Sequence, residues 1–427
     1  MSSTNNKGKM AIFVPKTPLK AKICIPGSKS ITNRALLISS LANGHSILKG
    51  ALKSDDTIVM ANALRLMGIK IDDLDNEEIN IFSSGKLNNP KEEIFLGNAG
   101  TATRFLTAAA SLIKDGDIVI SGDEDMQKRP IKPLVNALKS IGINISSKTG
   151  CPPVLIKAKG AKSINKYEVQ IDASLSSQYV SALLILAPML EKQFTISFGS
   201  KDKIGGRGYI DLTLSIMRDF GAKVSEIKAN VWQVEPSGYK TTNYTIAPDF
   251  SSITYLWAIE KLVKSELELY PLIGLENQPD AKAHKFIKLF PNMPRTIDGS
   301  QMQDAIPTLA IMAAFNNNPV RFTGIENLRV KECDRIFALN KGLNAIFDGL
   351  AKIKGDDLII NGNPNLKSPR NPVLIDSFND HRIAMSFALM GLKLENIIID
   401  NPNCVSKTYA NFWNDLNKMG VKTTYID

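Results

Sequence analysis

The segment SKSITNRALLISSLA, from Ser28 to Ala42, sets the pattern of the chain: a polar loop opens a helix of small apolar residues. Serine is a common helix cap, and the following Asn43-Gly44 is typical of a helix end. Five later segments repeat the pattern, beginning at Asn98, Ser174, Asp249, Asp304 and Asp380. Four of the five spacings are about 70 to 76 residues, whereas the one before Asp304 is 55. Because regular spacing indicates repeated supersecondary structure, we predict six similar repeats.

A second pattern comes late in most repeats, where an apolar residue and a glycine precede an alternating strand. The examples are LMGIKI at Leu66–Ile71, SIGINI at Ser140–Ile145, DFGAKV at Asp219–Val224 and KMGVKT at Lys418–Thr423. Each repeat is therefore predicted to be a helix, a strand, a helix and two strands. The fourth repeat is short by about 20 residues, the length of one hairpin.

These patterns predict an α/β (α+β) fold of two domains, each with three repeated β/α units. We expect residues 26–246 to form the first domain and residues 1–25 plus 247–427 the second, with the N-terminal strand AIFVP joining the second domain. The chain would then cross between domains twice, near Lys22–Pro26 and near Ile246–Asp249. Two short crossings form a hinge, and we expect an open empty protein that closes when an anion bridges its cations.

The composition favours some classes of function and argues against others. The 427 residues carry a net charge of +10, which predicts an acidic partner, either nucleic acid or a small anion. Aromatic residues are only 7%, so a stacking surface for single strands is not expected. The four cysteines are scattered and there are only three histidines, so no metal site and no disulfide framework are predicted. No apolar run is long enough for a membrane span, and MSSTNNKGKM is polar, so we expect a cytoplasmic enzyme.

The loop IPGSKSITNRALL, Ile25 to Leu37, looks like a phosphate loop but has the wrong spacing, because Ser28 separates Gly27 from Lys29. The simpler explanation is a capped core helix with a solvated lysine. However, helix starts carry unpaired N–H groups and a positive dipole end. If the repeats bring several helix starts together, they form an anion site in which Lys29 takes part.

Other segments carry cations in similar positions. LGNAGTATRF, Leu96 to Phe105, is a second glycine loop followed by Arg104. In NLRVKECDRI, we predict that Lys331 and Arg335 share a helix face, although a solvated charged face would also explain the motif. In FNDHRIAMSF, Arg382 at a helix start opposes the dipole unless it binds an anion.

Taken together, these motifs resemble those of the 5-enolpyruvylshikimate-3-phosphate synthases, the enolpyruvyl transferases of the shikimate pathway. PGSKSITNRALL, LGNAGTATR, KRP, SSQ, RVKECDR, NDHR and SKT occur in the family's order, from Pro26 to beyond Lys407. The resemblance implies two domains of three β/α units around a pseudo-threefold axis. It also implies transfer of the enolpyruvyl group of phosphoenolpyruvate to the 5-hydroxyl of shikimate-3-phosphate, in chorismate and aromatic amino acid biosynthesis.

The resemblance also assigns site residues. Shikimate-3-phosphate is expected to contact Lys29, Ser30, Arg34, Ser176, Ser177, Gln178, Tyr209, Asp304, Asn327 and Lys331. Phosphoenolpyruvate is expected to contact Lys29, Asn98, Gly100, Thr101, Arg104, Arg129, Gln178, Arg335, Arg382 and Lys407. Asp304 and Glu332 match the family's acid–base carboxylates, and Lys29 is the third catalytic candidate. No cofactor is implied, the partners are small anions rather than nucleic acid or membrane, and we expect a monomer.

Two positions depart from the family pattern. Gly206-Arg207-Gly208-Tyr209 stands where the family usually has Ser-[KR]-Pro-Tyr, so a serine contact to the shikimate phosphate is missing. Phe105 stands where many members have proline, which bears on sensitivity to the herbicide glyphosate. The shortened fourth repeat bears on the outer hairpin of the second domain.

The charges agree with the substrates that the resemblance implies. Two phosphates and two carboxylates carry roughly −5 to −6 in total. The eight proposed cations exceed Asp304 and Glu332 by six. Two other functions remain open. A UDP-N-acetylglucosamine enolpyruvyl transferase would need a catalytic cysteine, and neither Cys151 nor Cys333 lies in a matching loop. A basic RNA-binding module would not place acidic residues inside its basic cluster.

Overall fold

The computed structural model describes residues 8–199, 204–274 and 278–426. By its internal contacts the chain separates between Pro26 and Gly27 and again between Ala247 and Pro248. We call Gly27–Ala247 the central half and the remainder the terminal half. Strands β1 (Lys9–Ile12) and β2 (Leu19–Cys24) belong to the terminal half.

The central half contains three repeats in sequence. Its elements are α1 (Lys29–Leu41), β3 (Asn43–Lys49), α2 (Asp55–Leu66), β4 (Lys70–Ile71), β5 (Glu78–Ser84), β6 (Ile94–Phe95), α3 (Gly100–Ala110), β7 (Gly116–Ser121), α4 (Lys132–Ser140), β8 (Asn144–Ser147), β9 (Val154–Ala158), β10 (Glu168–Ile171), α5 (Gln178–Leu186), β11 (Phe194–Phe198), α6 (Gly208–Asp219), β12 (Val224–Lys228), β13 (Val231–Val234) and β14 (Asn243–Thr245). They form three four-stranded sheets, ordered β14-β3-β5-β4, β6-β7-β9-β8 and β10-β11-β13-β12. In each sheet the first two strands are parallel and the last two form an antiparallel hairpin.

The terminal half repeats this plan with two changes. Its elements after β2 are α7 (Phe250–Leu262), β15 (Ser265–Tyr270), α8 (His284–Lys288), β16 (Thr296–Asp298), α9 (Ile306–Ala314), β17 (Val320–Thr323), α10 (Arg335–Ile346), β18 (Ala351–Lys354), β19 (Asp357–Ile360), β20 (Val373–Ile375), α11 (His381–Gly391), β21 (Ile397–Asp400), α12 (Phe412–Met419) and β22 (Thr423–Ile426). The predicted N-terminal strand does join this half, since β1 completes the sheet β20-β21-β1-β22. The other four-stranded sheet is β16-β17-β19-β18.

The shortened fourth repeat is confirmed as a repeat without its hairpin. Its sheet has two parallel strands, β2 and β15, whereas the other five sheets that the structure describes have four. A 3₁₀ turn, Pro279–Ala283, and α8 take the place of the hairpin before β16. The prediction of six β/α repeats, three to each half, is therefore confirmed.

The predicted helix-opening segments form the buried helices at the centre of each half. Every residue of α3 is buried, as is every residue of α9 and α11. Helices that are apolar on all sides must be covered on all sides, and small residues allow that close packing. Within the central half α3 packs against both α1 and α5, and within the terminal half α7, α9 and α11 pack against one another. The predicted gathering of helices is thus seen inside each half.

Two local predictions were wrong. Helix α1 ends at Leu41, ahead of Asn43-Gly44, because those two residues already begin strand β3 beside β5. Lys331 and Arg335 do not share a helix face. The carboxylate of Asp334 caps α10 by accepting from the backbone N–H of Phe337, so Arg335 is the first helical residue and Lys331 precedes the helix.

The crossing segments are held within each half by one backbone hydrogen bond. In the terminal half the N–H of Asp249 donates to the carbonyl of Pro26 at 2.8 Å. In the central half the N–H of Ser28 donates to the carbonyl of Ala247, also at 2.8 Å. No helix among the described residues is long and apolar enough to cross a membrane.

Candidate active site

Lys29 lies at the start of α1 and forms an ion pair. Its Nζ is 3.0 Å from Oδ2 of Asp56, and both side chains are largely buried. Asp56 stands in the first turn of α2, which begins with a capping box between Ser54 and Thr57. Sequence analysis did not select Asp56, because an acidic first turn is common in helices for electrostatic reasons alone. The pair fixes the direction of the Lys29 ammonium group.

Arg34 is buried and bonded entirely to neutral groups. Its Nε donates to Oγ1 of Thr213 at 2.7 Å and its Nη1 to the carbonyl of Ser30 at 2.9 Å. Its Nη2 donates to Ser181 Oγ and to the carbonyl of Tyr209. Burial without a carboxylate partner lowers the pKa of Arg34 to about 10. Arg34 thereby links α1 to α5 and α6.

Phe105 and Arg207 lie at the two segments that depart from the family pattern. The Phe105 ring lies 5.0 Å from the Arg34 guanidinium, so it fills the space beside that group. Arg207 pairs with Asp211 at 2.9 Å and with Glu226 at 2.7 Å, and it lies over the Trp232 ring. The cation of this segment is therefore engaged in an ion-pair cluster within its own repeat.

The glycine loop brings two arginines together. Nη1 of Arg104 donates to the carbonyl of Gly100 at 2.9 Å, and Nη1 of Arg129 donates to Oδ1 of Asn98 at 2.8 Å. A Cβ added at Gly100 would lie 2.6 Å from Nη1 of Arg104 and 2.7 Å from Nη2 of Arg129. Both guanidinium groups therefore converge on the backbone at Gly100, where a side chain would require them to shift.

The remaining predicted residues of this half lie at the starts of α5 and α6. Nε2 of Gln178 donates to Oγ1 of Thr101 at 3.1 Å, which joins the start of α5 to the start of α3. Ser176 Oγ accepts from the N–H of Gln178, and Ser177 is the N-cap residue of α5. Tyr209 is the second residue of α6. The structure thus gathers predicted residues from the starts of α1, α3, α5 and α6, which we call the central half-site.

In the terminal half, Asp304 is surrounded by cations. Its Oδ1 is 2.9 Å from Arg335 Nη1 and 3.7 Å from Lys331 Nζ, and its Oδ2 is 3.1 Å from Arg382 Nη2. Burial alone would raise the pKa of Asp304, and Glu332 acts in the same direction. The charges of Arg382, Lys331 and Arg335 outweigh both and hold that pKa well below its usual value. Asp304 is therefore an ionised carboxylate.

Arg335 is the centre of a carboxylate network. Besides Asp304, it donates to Glu332 through Nη2 at 2.8 Å and to Asp380 through Nε at 2.8 Å and Nη2 at 3.3 Å. Its side chain is only 1% exposed. Among the described residues, these bonds use every N–H of the guanidinium except one at Nη1. The sequence indicated Arg335 and both acid–base candidates but not this shared arrangement.

Asp380 was missed as a site residue. It is fully buried, it caps α11 by accepting from the backbone N–H of Arg382 at 2.8 Å, and it also binds Arg335. The sequence pattern NDHR did indicate a cap. This capping carboxylate places a negative charge at the start of α11, beside the positive charge of Arg382.

The other predicted residues of this half have separate positions. Nε and Nη1 of Arg382 are buried and have no hydrogen-bond partner among the described residues. The same is true of Oδ1 of Asn327, which lies in the 3₁₀ turn Glu326–Val330. Lys407 ends the 3₁₀ turn Pro402–Lys407 and is 9% exposed. We call this set the terminal half-site: Asp304, Asn327, Lys331, Glu332, Arg335, Asp380, Arg382 and Lys407.

Comparison with known proteins identifies the family. The family model for EPSP synthase (3-phosphoshikimate 1-carboxyvinyltransferase) matches residues 14–268 and 275–416. A 3-phosphoshikimate 1-carboxyvinyltransferase of Rhizobium leguminosarum bv. trifolii is 54% identical over 98% of this chain and 98% of its own. One from Pseudomonas syringae pv. syringae is 52% identical over 96% of this chain and 98% of its own.

Solved structures show the same fold. An EPSP synthase from Acinetobacter baumannii aligns with a TM-score of 0.79 and 23% identity, covering 98% of this chain and 100% of its own. At this identity the structural alignment supports the fold alone. Membership of the family rests on the family model and the two curated relatives. The repeats, the half-sites and these similarities agree, and the chain belongs to the EPSP synthase family of transferases.

Proposed function

We propose that the chain transfers the enolpyruvyl group of phosphoenolpyruvate to the 5-hydroxyl of shikimate-3-phosphate, releasing phosphate. The observation that carries this proposal is Asp304, a carboxylate held ionised beside Arg335, Arg382 and Lys331. An ionised carboxylate is a base, and cations around it attract an anionic substrate. A site that only bound anions would have no use for the carboxylate, which repels them.

The central half-site supplies charge for binding. Arg104 and Arg129 converge at Gly100, so a carboxylate or phosphate placed at that helix start would meet two guanidinium groups and backbone N–H groups together. Lys29 stands at the start of α1 and is assigned to both substrates. We assign Ser30, Arg34, Ser176, Ser177, Gln178 and Tyr209 to shikimate-3-phosphate, as the family resemblance implies. Of these, Arg34 acts mainly by holding α1, α5 and α6 together.

The terminal half-site supplies the second set of contacts. Arg382 has N–H groups at Nε and Nη1 without a hydrogen-bond partner among the described residues, and we assign it to phosphoenolpyruvate. Lys407 and the remaining Nη1 hydrogen of Arg335 are assigned to the same substrate. Lys331 and the buried amide of Asn327 are assigned to shikimate-3-phosphate.

The proposed chemistry is an addition followed by an elimination. Asp304 takes the proton of the 5-hydroxyl, whose oxygen bonds to C2 of phosphoenolpyruvate while C3 gains a proton. The tetrahedral product then loses a proton from C3 and expels phosphate, which restores the double bond. We assign movement of the C3 proton to Glu332 with Lys29. Glu332 is bonded to Arg335, which holds the carboxylate in one orientation.

A phosphate-release assay tests this function directly. Purified protein is given phosphoenolpyruvate with either shikimate-3-phosphate or UDP-N-acetylglucosamine. Release that requires shikimate-3-phosphate supports the proposal. Release that requires UDP-N-acetylglucosamine would assign the other enolpyruvyl transfer, and steep salt-dependent RNA binding without release would favour the RNA-binding alternative.

We further propose that the protein acts on small anions as a cytoplasmic monomer, without nucleic acid. The closure that the sequence predicts on binding of shikimate-3-phosphate stays a prediction. Light scattering after size exclusion measures the mass. Small-angle scattering with and without shikimate-3-phosphate measures the radius of gyration, which should fall at saturation, and an unchanged radius in protein that binds the ligand contradicts closure.

A further inference from the structure

Tyr255 presents a buried hydroxyl that the proposed mechanism does not use. It lies in α7, is fully buried, and its ring packs edge-on against Phe412 with centroids 5.9 Å apart. Its hydroxyl oxygen makes no hydrogen bond of normal geometry within the described residues. A buried hydroxyl without a partner is unfavourable, so such a group calls for an explanation.

Helix α7 packs against α11, and the group beside this hydroxyl is the guanidinium of Arg382 in α11. Burial raises the pKa of Tyr255 to about 12, and the positive charge of Arg382 is the strongest influence in the opposite direction. Tyr255 in turn is among the groups that favour the charged form of Arg382, together with Asp304, Asp249 and Asp280. The two side chains are 0% and 3% exposed, so both are buried away from bulk solvent.

Arg382 is held at one nitrogen only. Asp304 contacts Nη2 at 3.1 Å, whereas Nε and Nη1 have no hydrogen-bond partner among the described residues. A planar guanidinium recognises a carboxylate or phosphate through two parallel N–H groups, so the orientation of its plane decides the affinity. One contact at Nη2 does not by itself define the orientation of that plane, whereas a second acceptor does.

We propose that Tyr255 is a positioning residue for Arg382, its hydroxyl oxygen accepting from the guanidinium and fixing the plane in which that group meets phosphoenolpyruvate. This inference rests on the proposed function, in which Arg382 binds that substrate. The phenol acts through Arg382, since its raised pKa makes it a poor proton carrier near neutral pH.

The test compares Tyr255→Phe with Tyr409→Phe. Tyr409 packs against the same Phe412 ring, with centroids 5.7 Å apart, but its hydroxyl donates to Asp415 at 2.7 Å. We expect Tyr255→Phe to raise the KM for phosphoenolpyruvate roughly ten-fold, in line with one hydrogen bond to a charged group. The kcat, the Kd for shikimate-3-phosphate and the melting temperature should change little. Tyr409→Phe should lower the melting temperature and leave the KM unchanged.

A double-variant cycle shows whether Tyr255 acts through Arg382. In an Arg382→Lys background the effect of Tyr255→Phe on the KM should disappear, because the guanidinium plane is already lost. If the wild type releases no phosphate from the two substrates, the proposed function itself fails. If the wild type is active, a wild-type KM in Tyr255→Phe overturns the positioning role. So does a fall in kcat alone, which would indicate a direct part in chemistry.

Discussion

The two half-sites hold their cations in different ways. In the central half-site the hydrogen bonds of Arg34 among the described residues go to hydroxyl and carbonyl oxygens, and Lys29 pairs with Asp56. In the terminal half-site Arg335 alone binds three carboxylates, those of Asp304, Glu332 and Asp380. The helix starts repeat in both halves, but the cations beside them have different kinds of partner in each half.

This difference suggests a division of labour. A guanidinium bonded to neutral oxygens keeps its full field for an incoming anion, so the central half-site is suited to binding. A cation bonded to carboxylates is largely neutralised, but it fixes those carboxylates in position and charge state, so the terminal half-site is suited to proton transfer. Substitutions in the two halves should then affect different kinetic constants.

The largest effect is expected from Lys29→Met. Lys29 is assigned to both substrates, and each lost charge-assisted hydrogen bond costs roughly 1.5–3 kcal/mol, so kcat/KM should fall on the order of 10²- to 10⁴-fold. Activity assays at varied concentrations of each substrate give the constants. Lys53→Met, which removes an exposed lysine paired with Asp75 in the same half, is the matched control.

A second substitution, at Asp56, distinguishes the effect of Lys29→Met on stability from its effect on activity. Lys29→Met removes the ammonium group that pairs with the buried Asp56 carboxylate, which should lower the melting temperature. Adding Asp56→Asn should restore stability but not activity. Near wild-type turnover in folded Lys29→Met would remove Lys29 from the catalytic set.

Asp304→Asn should break the terminal half-site with an effect mainly on kcat. Loss of a general base costs about 10²- to 10⁴-fold, while the Kd for shikimate-3-phosphate should change only a few-fold. Single-turnover kinetics and binding titrations separate the two. Asp357→Asn, which breaks a pair with Arg321 on the outer hairpin, is the control. If Asp304→Asn weakens binding as strongly as it slows turnover, Asp304 is a binding residue instead.

Arg382→Lys and Gly100→Ala should both raise the KM for phosphoenolpyruvate, by about ten-fold or more, from opposite halves. Lysine keeps the charge of Arg382 but loses the planar fork. At Gly100 an added Cβ would displace two guanidinium groups that lie within 2.7 Å of it. Steady-state assays with shikimate-3-phosphate held at saturation give the KM. A change confined to the shikimate-3-phosphate constants would reassign either residue to the other substrate.

The smallest effect concerns pH. The cations hold the pKa of Asp304 below its unfolded value of about 3.9. The resulting stabilisation should be fully present above pH 4 and disappear as pH falls through the lower folded-state pKa. Urea unfolding of wild type and Asp304→Asn between pH 3 and 7 should show a constant difference in free energy above about pH 5 that shrinks towards pH 3. A difference that grows on acidification would contradict an ionised Asp304.

Much of this molecule follows from local sequence. The helix starts and the glycine–strand pattern depend on residues a few positions apart, which is why the six repeats, the shortened fourth repeat and the N-terminal strand could be predicted. Asp304, Glu332, Arg335 and Arg382 were also selected from the sequence, by motif. The structure brings these four into one network.

Only the tertiary structure determines the hydrogen-bond and ion-pair partners of the site residues. Arg34 bonds to Thr213, 179 residues away, and Arg335 to Asp380, 45 residues away, and no local pattern encodes such pairs. Lys331 lies before helix α10 and not on it as predicted, because the Asp334 side chain caps the helix and starts it at Arg335. Helices and strands follow from short-range geometry, whereas the charge state and orientation of each site residue depend on groups brought near it by folding.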